Sequence, residues 1–402
     1  MELLFVHPNF PGQFGPMLSR LTKQPDMRCV FLSGNAGGLQ DGVHCIPFTK
    51  RGGARETTHF CARTFENAVC SAHAVYEACE KARLTPDVIV GHSGFGTTLF
   101  LQELYRRPIV NLFEYYYHAH HSDLDFRPDF PPSDLARLRA HARNAMILLD
   151  LQACAAGYAP SAWQRSLFPK EYANKLDVLH DGIDTQFWKR RTVPRRINND
   201  VIPDDVRIVT YVARGFEAMR GFDMFVRVAN RIANAMPNVL FVVVGSDRVC
   251  YGNDLQHVKA NTFREHVIRT EQPDLSRFRF LGTVPQAQLS EILSLSDLHV
   301  YLTVPFVLSW SLLNALACEC TVLASDVGPV RDVIEPGRTG LLGDFFDVDG
   351  LAEQALRVLR DPLQHRALGL AARALIEDEY SLDKTVPKFL ALLDRVSRKD
   401  AT

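Results

Sequence analysis

The sequence predicts an α/β protein made of two doubly wound, mostly parallel sheets. Short continuous apolar runs alternate with longer amphipathic stretches, as strands buried on both faces alternate with covering helices. The alternation breaks once, at a charged segment over residues 189–206 that contains two prolines, and then resumes. With 402 residues, 47% of them hydrophobic, the chain can build two cores at about 150 residues per domain.

The elements follow in order. Residues 3–6 form an apolar run, broken by His7-Pro8-Asn9-Phe10-Pro11-Gly12 before a helix near Phe14. Residues 29–32 predict a second strand. A helical stripe over 61–83 carries Phe65, Ala68, Val69, Ala72, Val75, Tyr76 and Cys79. Residues 87–90 predict a strand that leads through Gly91-His92-Ser93-Gly94-Phe95-Gly96 into a helix ending near Tyr105. Residues 108–112 form the next strand, and Ser133 is placed as the N-cap of a long helix. Short strands near 157–159 and 176–179 close the first half. Beyond the linker, strands are predicted at 208–212, 239–244, 278–281, 298–302 and 322–325. Helices are predicted over 222–236, around 287–295, over 309–318 and through the remainder.

Composition excludes several classes. Lys and Arg number 45 against 46 Asp and Glu, so bulk electrostatics does not grip nucleic acid. Twenty-five Phe exclude wholesale disorder. No apolar run approaches the roughly 20 residues of a membrane span, and residues 3–6 are too short for a signal-peptide core. Nine scattered Cys fit reduced thiols and a cytoplasmic location. No metal site is expected. Cys318 and Cys320 lack a second pair at zinc spacing, and His118, His120, His121 and Asp123 lie on one loop without ligand spacing. Asp123-Leu124-Asp125 and Asp347-Val348-Asp349 are given no role.

In doubly wound sheets ligands bind beyond the carboxyl ends of strands, so strand-to-helix loops are the places to search. Pro11-Gly12-Gln13-Phe14-Gly15 allows close backbone approach at a helix start. Gly91 to Gly96 has the wrong glycine order for a dinucleotide fingerprint, but His92 ends its strand and is a candidate site residue. Ala213-Arg214-Gly215-Phe216-Glu217-Ala218-Met219-Arg220-Gly221 brings two guanidinium forks to a strand's end, suiting a diphosphate. Pro305 to Cys318 places Ser309 and Ser311 where a helix starts. There the free N–H groups of 309–312 are expected to attract an anion, with Asn314 reaching a sugar hydroxyl from the second turn.

Ala324-Ser325-Asp326-Val327-Gly328-Pro329-Val330-Arg331-Asp332-Val333-Ile334, with Gly337-Arg338-Thr339-Gly340-Leu341-Leu342, resembles the C-terminal signature of retaining nucleotide-sugar glycosyltransferases of the glycogen-synthase-like family 4, and Phe10-Pro11-Gly12-Gln13-Phe14 and Ala159-Pro160-Ser161-Ala162-Trp163-Gln164 resemble a bacterial subgroup of it. Arg214 and Arg220-Gly221 resemble that family's diphosphate clamp, one residue longer and with Arg for Lys. Phe280-Leu281-Gly282-Thr283-Val284-Pro285 is similar to its base-reading segment, and His180-Asp181-Gly182-Ile183-Asp184 to its inter-domain stretch.

The resemblance implies a GT-B fold, two Rossmann-like domains facing across a cleft. It places the acceptor domain at 1–186, the nucleotide-sugar domain at 187–378, and a helix at 379–402 returning to the first domain. Arg214 and Arg220 would neutralise the diphosphate leaving group. Donor contacts are implied at Gly12, Gly245, Val284, Ser309, Trp310, Ser311, Leu312 and Asn314. Glu114 or His118 would contact the sugar or acceptor, where the family has a His. Phe14, Phe113 and Tyr115 to Tyr117 are placed as stacking surfaces. The implied reaction is a metal-independent, retaining hexose transfer from a nucleotide diphosphate sugar, UDP before GDP, to a glycan, lipid-linked or small-molecule hydroxyl. No cofactor is implied beyond the donor. Localisation is cytoplasmic, or peripheral at the inner membrane face for a lipid acceptor, and no oligomeric state follows. Phe306 and Asn314 replace the family's paired Glu. That departure motivates the alternative of a degenerate fold that binds a nucleotide sugar or partner subunit without catalysis. A nucleotide-sugar epimerase is the third reading.

Overall fold

The computed structural model describes residues 1–399, which divide into two compact units. Unit 1 holds Met1–Asp125, Pro131–Gly182 and the chain from Tyr380 on; unit 2 holds Phe126–Phe130 and Ile183–Glu379. The short segment Phe126–Phe130 therefore belongs with unit 2.

Unit 1 contains β1 (Glu2–Val6), β2 (Arg28–Ser33), β3 (Gly38–Gln40), β4 (Val43–Pro47), β5 (Val88–His92), β6 (Ile109–Leu112), β7 (Ala156–Ala159) and β8 (Leu176–Val178). They form one eight-stranded sheet in the order β3-β4-β2-β1-β5-β6-β7-β8, parallel except for the β3–β4 pair. Its helices are α1 (Gly15–Leu21), α2 (Arg63–Ala82), α3 (Leu101–Leu104), α4 (Asp134–Ala153) and α5 (Ala162–Ser166). β1 shows why its sequence run is unbroken. Leu3 and Phe5 enter the core that holds Phe14, Leu382 and Phe389, while Leu4 and Val6 enter the opposite core with Val75 and Cys79. Ser133 caps α4, accepting from the Ala136 N–H at 3.1 Å.

Unit 2 contains β9 (Arg196–Ile197), β10 (Asp200–Val201), β11 (Arg207–Gly215), β12 (Val239–Ser246), β13 (Phe278–Gly282), β14 (Leu298–Tyr301), β15 (Val322–Ser325) and β16 (Leu341–Gly343). Its helices are α6 (Phe222–Ala235), α7 (Phe263–Glu271), α8 (Gln286–Ser294), α9 (Trp310–Ala317), α10 (Gly328–Arg331), α11 (Val348–Arg360) and α12 (Pro362–Leu375). The main sheet is six-stranded and wholly parallel, ordered β13-β12-β11-β14-β15-β16, the strand order of a dinucleotide-binding fold. β9 and β10 make an antiparallel hairpin inside the segment read as a plain linker.

The last helix, α13 (Leu382–Lys399), packs in unit 1, with Phe389 against Tyr158 at 5.9 Å between ring centroids. No described helix is long and apolar enough to cross a membrane. The helix expected between Gly96 and Tyr105 shrinks to α3.

Candidate active site

Each sheet reverses its strand order once, between β1 and β5 in unit 1 and between β11 and β14 in unit 2. Strand-end crevices open at such reversals, because the flanking loops turn to opposite sides. Both candidate sites lie there.

In unit 2, the carboxyl ends of β11 and β14 and the start of α9 enclose a small pocket lined by Arg214, Arg220, Tyr251, Tyr301, Ser309 and Ser311, among others. Arg220 is only 5% exposed and makes no ion pair among the described residues. Its Nη1 donates to Thr303 Oγ1 at 3.0 Å, Tyr301 Oη at 3.3 Å and the Val307 carbonyl at 3.4 Å. A buried guanidinium held only by neutral acceptors keeps its full charge for an incoming anion. Arg214 is exposed, with Nη1 3.4 Å from Tyr251 Oη.

Two further residues shape this pocket. Tyr251 lies with its ring centroid 5.3 Å from the Arg220 guanidinium carbon and 5.4 Å from the Phe306 ring. Glu217 is fully buried, and its Oε2 accepts from the N–H groups of Cys250, Tyr251 and Gly252 at 3.0, 2.8 and 3.0 Å. One carboxylate thus pins the loop that carries Tyr251. Sequence reading assigned neither residue a role. The available signal was an acidic residue inside the Arg214–Arg220 loop and a second loop leaving the carboxyl end of β12.

In unit 1, His7 follows β1, His92 ends β5 and Glu114 follows β6. His92 Nε2 stands 3.2 Å from Glu114 Oε2, and Gln13 Nε2 3.5 Å from Glu114 Oε1. The His7 ring stacks on His92 at 5.3 Å, and Phe95 sits edge-on to both. Burial, with His92 alongside, pulls the His7 pKa down to about 4. Burial pushes the Glu114 carboxyl up, but His92, His7 and Gln13 outweigh it and hold it below its usual range. The half-buried carboxylate therefore stays ionised and can accept from a hydroxyl.

The other expected residues lie as follows. His118 is exposed, with Nε2 2.9 Å from the Leu167 carbonyl, and does not join His92 and Glu114. Gly12, at φ +54°, lies in unit 1, where an added Cβ would come within 2.6 Å of His7 Nδ1. Gly245 is buried under the bulged end of β11, an added Cβ falling 2.4 Å from the Ala213 carbonyl oxygen. Val284 is half-buried after β13, at the sheet edge and two strands away from β11.

The start of α9 differs from expectation too. Ser309 caps the helix by accepting from the Ser311 N–H, and the Leu312 N–H is bonded to the Ser309 carbonyl. The cap therefore uses N–H groups expected to be free, and the hydroxyls of Ser309 and Ser311, 2.9 Å apart, line the pocket instead. Leu312 points into the core, Trp310 is half-buried, and Asn314 is buried on the second turn. Phe14 and Phe113 are core residues without exposed faces, which leaves them no stacking surface for a sugar. Among the described residues no group of His, Cys, Asp and Glu is gathered as a metal site requires.

Two family models match the chain: Glycosyl transferase family 4 group over residues 25–188, and Glycosyl transferases group 1 over residues 194–375. Among curated proteins, the N-acetyl-alpha-D-glucosaminyl L-malate synthase of Bacillus anthracis is 25% identical over 225 residues, covering 56% of this chain and 55% of that one. The alpha-maltose-1-phosphate synthase of Mycolicibacterium smegmatis is 28% identical over 242 residues, covering 57% and 59%. The chain thus spans a little over half the length of these curated relatives. Among solved structures, Anabaena Alr3699/HepE in complex with UDP and glucose superposes with a TM-score of 0.73 at 16% identity, covering 98% of this chain and all of that one. Sucrose-phosphate synthase from Thermosynechococcus elongatus gives 0.75 at 15% identity, covering 98% of each. These likenesses show the fold: two Rossmann-like domains of the GT-B type.

Proposed function

Because this chain belongs to the family 4 glycosyltransferases, we propose that it transfers a hexose, with retention of configuration, from a nucleotide diphosphate sugar to an acceptor hydroxyl. The observation that carries this is Arg220: a buried cation that feels the Glu217 charge but makes no ion pair among the described residues, beside Arg214 and two hydroxyls, at the strand reversal of unit 2. As the bond from the anomeric carbon to the diphosphate oxygen breaks, the bonding pair leaves with the nucleoside diphosphate. Arg220 and Arg214 neutralise that growing charge, and Ser309 and Ser311 donate to phosphoryl oxygens. The acceptor oxygen bonds to the same carbon on the face the diphosphate leaves, and its proton passes to a diphosphate oxygen. The ionised Glu114, held by His92 and Gln13, accepts from a sugar or acceptor hydroxyl in unit 1. UDP is the favoured nucleotide, supported by the UDP and UDP-glucose complexes of HepE, which shares the fold. The acceptor is a glycan, lipid-linked or small-molecule hydroxyl, and the site of action is cytoplasmic, at the inner membrane face if the acceptor is a lipid.

A second reading, binding without transfer, is motivated by Phe306. It stands where the family carries a Glu, 5.7 Å from the Arg220 guanidinium carbon. Incubation with UDP-glucose, UDP-N-acetylglucosamine and GDP-mannose separates the two. Slow release of free nucleoside diphosphate from one donor is expected. Tight binding of a donor with no release over days would favour the second reading.

A further inference from the structure

Unit 1 gathers a second set of cations, remote in sequence from the Arg214–Arg220 loop. Arg63 opens α2, and Arg139 and Arg143, four residues apart, share one face of α4, which packs on α2. The guanidinium carbons of Arg63 and Arg139 both stand over the Phe60 ring, 5.9 and 4.7 Å from its centroid. That of Arg143 stands 3.6 Å from the centroid of Tyr117. All three side chains are half-buried, and among the described residues none makes an ion pair.

Their hydrogen bonds go to neutral acceptors. Arg63 donates to the carbonyls of Glu56 and Thr58, Arg139 to Thr64 Oγ1 at 3.3 Å, and Arg143 to the Tyr117 hydroxyl. The buried Nε atoms of Arg139 and Arg143 have no acceptor. Neighbouring carboxylates make no ion pair with them: Asp123, which feels the Arg143 charge, accepts from the Tyr115 hydroxyl at 2.6 Å, Asp134 pairs with Arg137, and Glu66 accepts from Thr58. Burial, and then the repulsion of Arg143 and Arg63, depress the Arg139 pKa below its ordinary value. Like charges held together and partly desolvated, with only Asp123 near enough to offset Arg143 in part, are relieved by an anion.

We infer that Arg63, Arg139 and Arg143, with the Tyr117 hydroxyl, bind the phosphate or carboxylate group of an anionic acceptor. The aromatic faces beneath the guanidinium groups orient their forks, which suits bidentate recognition. Tyr117 lies within the electrostatic reach of Glu114 and 5.2 Å from the Tyr115 ring, so the cluster flanks the unit 1 site. Only the word acceptor rests on the proposed transfer reaction; the anion site stands without it.

The test titrates glucose 6-phosphate, glucuronate and glucose into the full chain saturated with UDP, so that Arg214 and Arg220 are already occupied. The phosphate or carboxylate sugar is expected to bind at least about tenfold more tightly than glucose, the worth of one charge-assisted bond. Arg139→Gln with Arg143→Gln should erase that preference while leaving the UDP affinity unchanged. Arg139→Lys and Arg143→Lys, which keep charge but lose the fork, should erase part of it and serve if the double variant does not fold. In parallel, phosphatidylcholine vesicles with and without phosphatidylglycerol are sedimented with the protein. Binding to the anionic vesicles that the variants lose, with free sugar phosphate unbound, supports the site with a lipid headgroup as the source. No preference for either anionic form, or a preference the variants retain, overturns the inference. Failure of UDP to bind the unmodified chain would count against the diphosphate site alone, since the sugar titration judges unit 1 separately.

Discussion

Replacing Arg220 by methionine tests the diphosphate site while sparing the packing. The side chain keeps a comparable length, so Tyr211, whose hydroxyl donates to the Arg220 backbone carbonyl at 2.7 Å, keeps its partner. The fold loses hydrogen bonds to Tyr301, Thr303 and Val307 but no longer buries an unpaired charge, and these effects oppose. Ligand binding has no such offset. A bond from a charged donor to a phosphoryl oxygen contributes about 1.5–3 kcal/mol, so the affinity for UDP should fall about tenfold to a hundredfold. The assay is the rise in melting temperature that UDP causes within each protein, which removes any change in base stability. At about one hundred times its Kd, UDP stabilises the unmodified chain by about 2.7 kcal/mol, a rise of about 5–11 °C for a unit of this size. At the same concentration Arg220→Met should rise by only about 1–6 °C, with a rise near the lower end if two phosphates are contacted. An undiminished rise would refute the site. So would a collapse of the ligand-free protein, because Arg220 would then be a structural cation.

Glu217→Ala should release the loop at Cys250–Gly252 and weaken UDP binding by about 1–2 kcal/mol, with Glu217→Gln recovering part of it through its remaining carbonyl; titration calorimetry giving equal affinities for all three proteins would show that the loop does not serve the pocket. Asn314→Glu should tighten donor binding by about 1 kcal/mol, and an unchanged Kd would place Asn314 away from the ribose. The pH dependence of stability should carry a His299 signature. Burial pulls its pKa down to about 3, whereas the unfolded chain takes up the proton near 6.5. Folding is therefore supported fully above pH 6.5, and the support is lost as pH falls toward the folded pKa. His299→Gln should lose about 2 kcal/mol less than the unmodified chain between pH 7 and pH 5, measured by urea unfolding. Parallel stability curves would mean that His299 is solvated.

The comparison of the two sites shows what kind of information each required. The unbroken apolar runs at β1, β11 and β12 state their burial on both faces directly, because strand periodicity is a local property. The break before β11 and the Arg-bearing loop after it are equally local, and so were legible. β3 was not, since its three residues are all exposed and carry no alternation. The β9–β10 hairpin was hidden in a polar stretch because each strand is only two residues long, too short to show a period.

What the tertiary structure alone decided is which loops share a crevice. Glu217 meets backbone N–H groups more than thirty residues away, and His7 meets His92 across the chain, only because β11 lies beside β12 and β1 beside β5. His118 and Glu114, four residues apart, were interchangeable as sequence, and the sheet separated them: Glu114 is turned toward His92, while His118 reaches the surface beside Leu167. Local sequence sets the conformation a segment prefers. Partnership between distant segments is settled by the order in which strands pair, which the free energy of the whole packed sheet selects and no single window of residues contains.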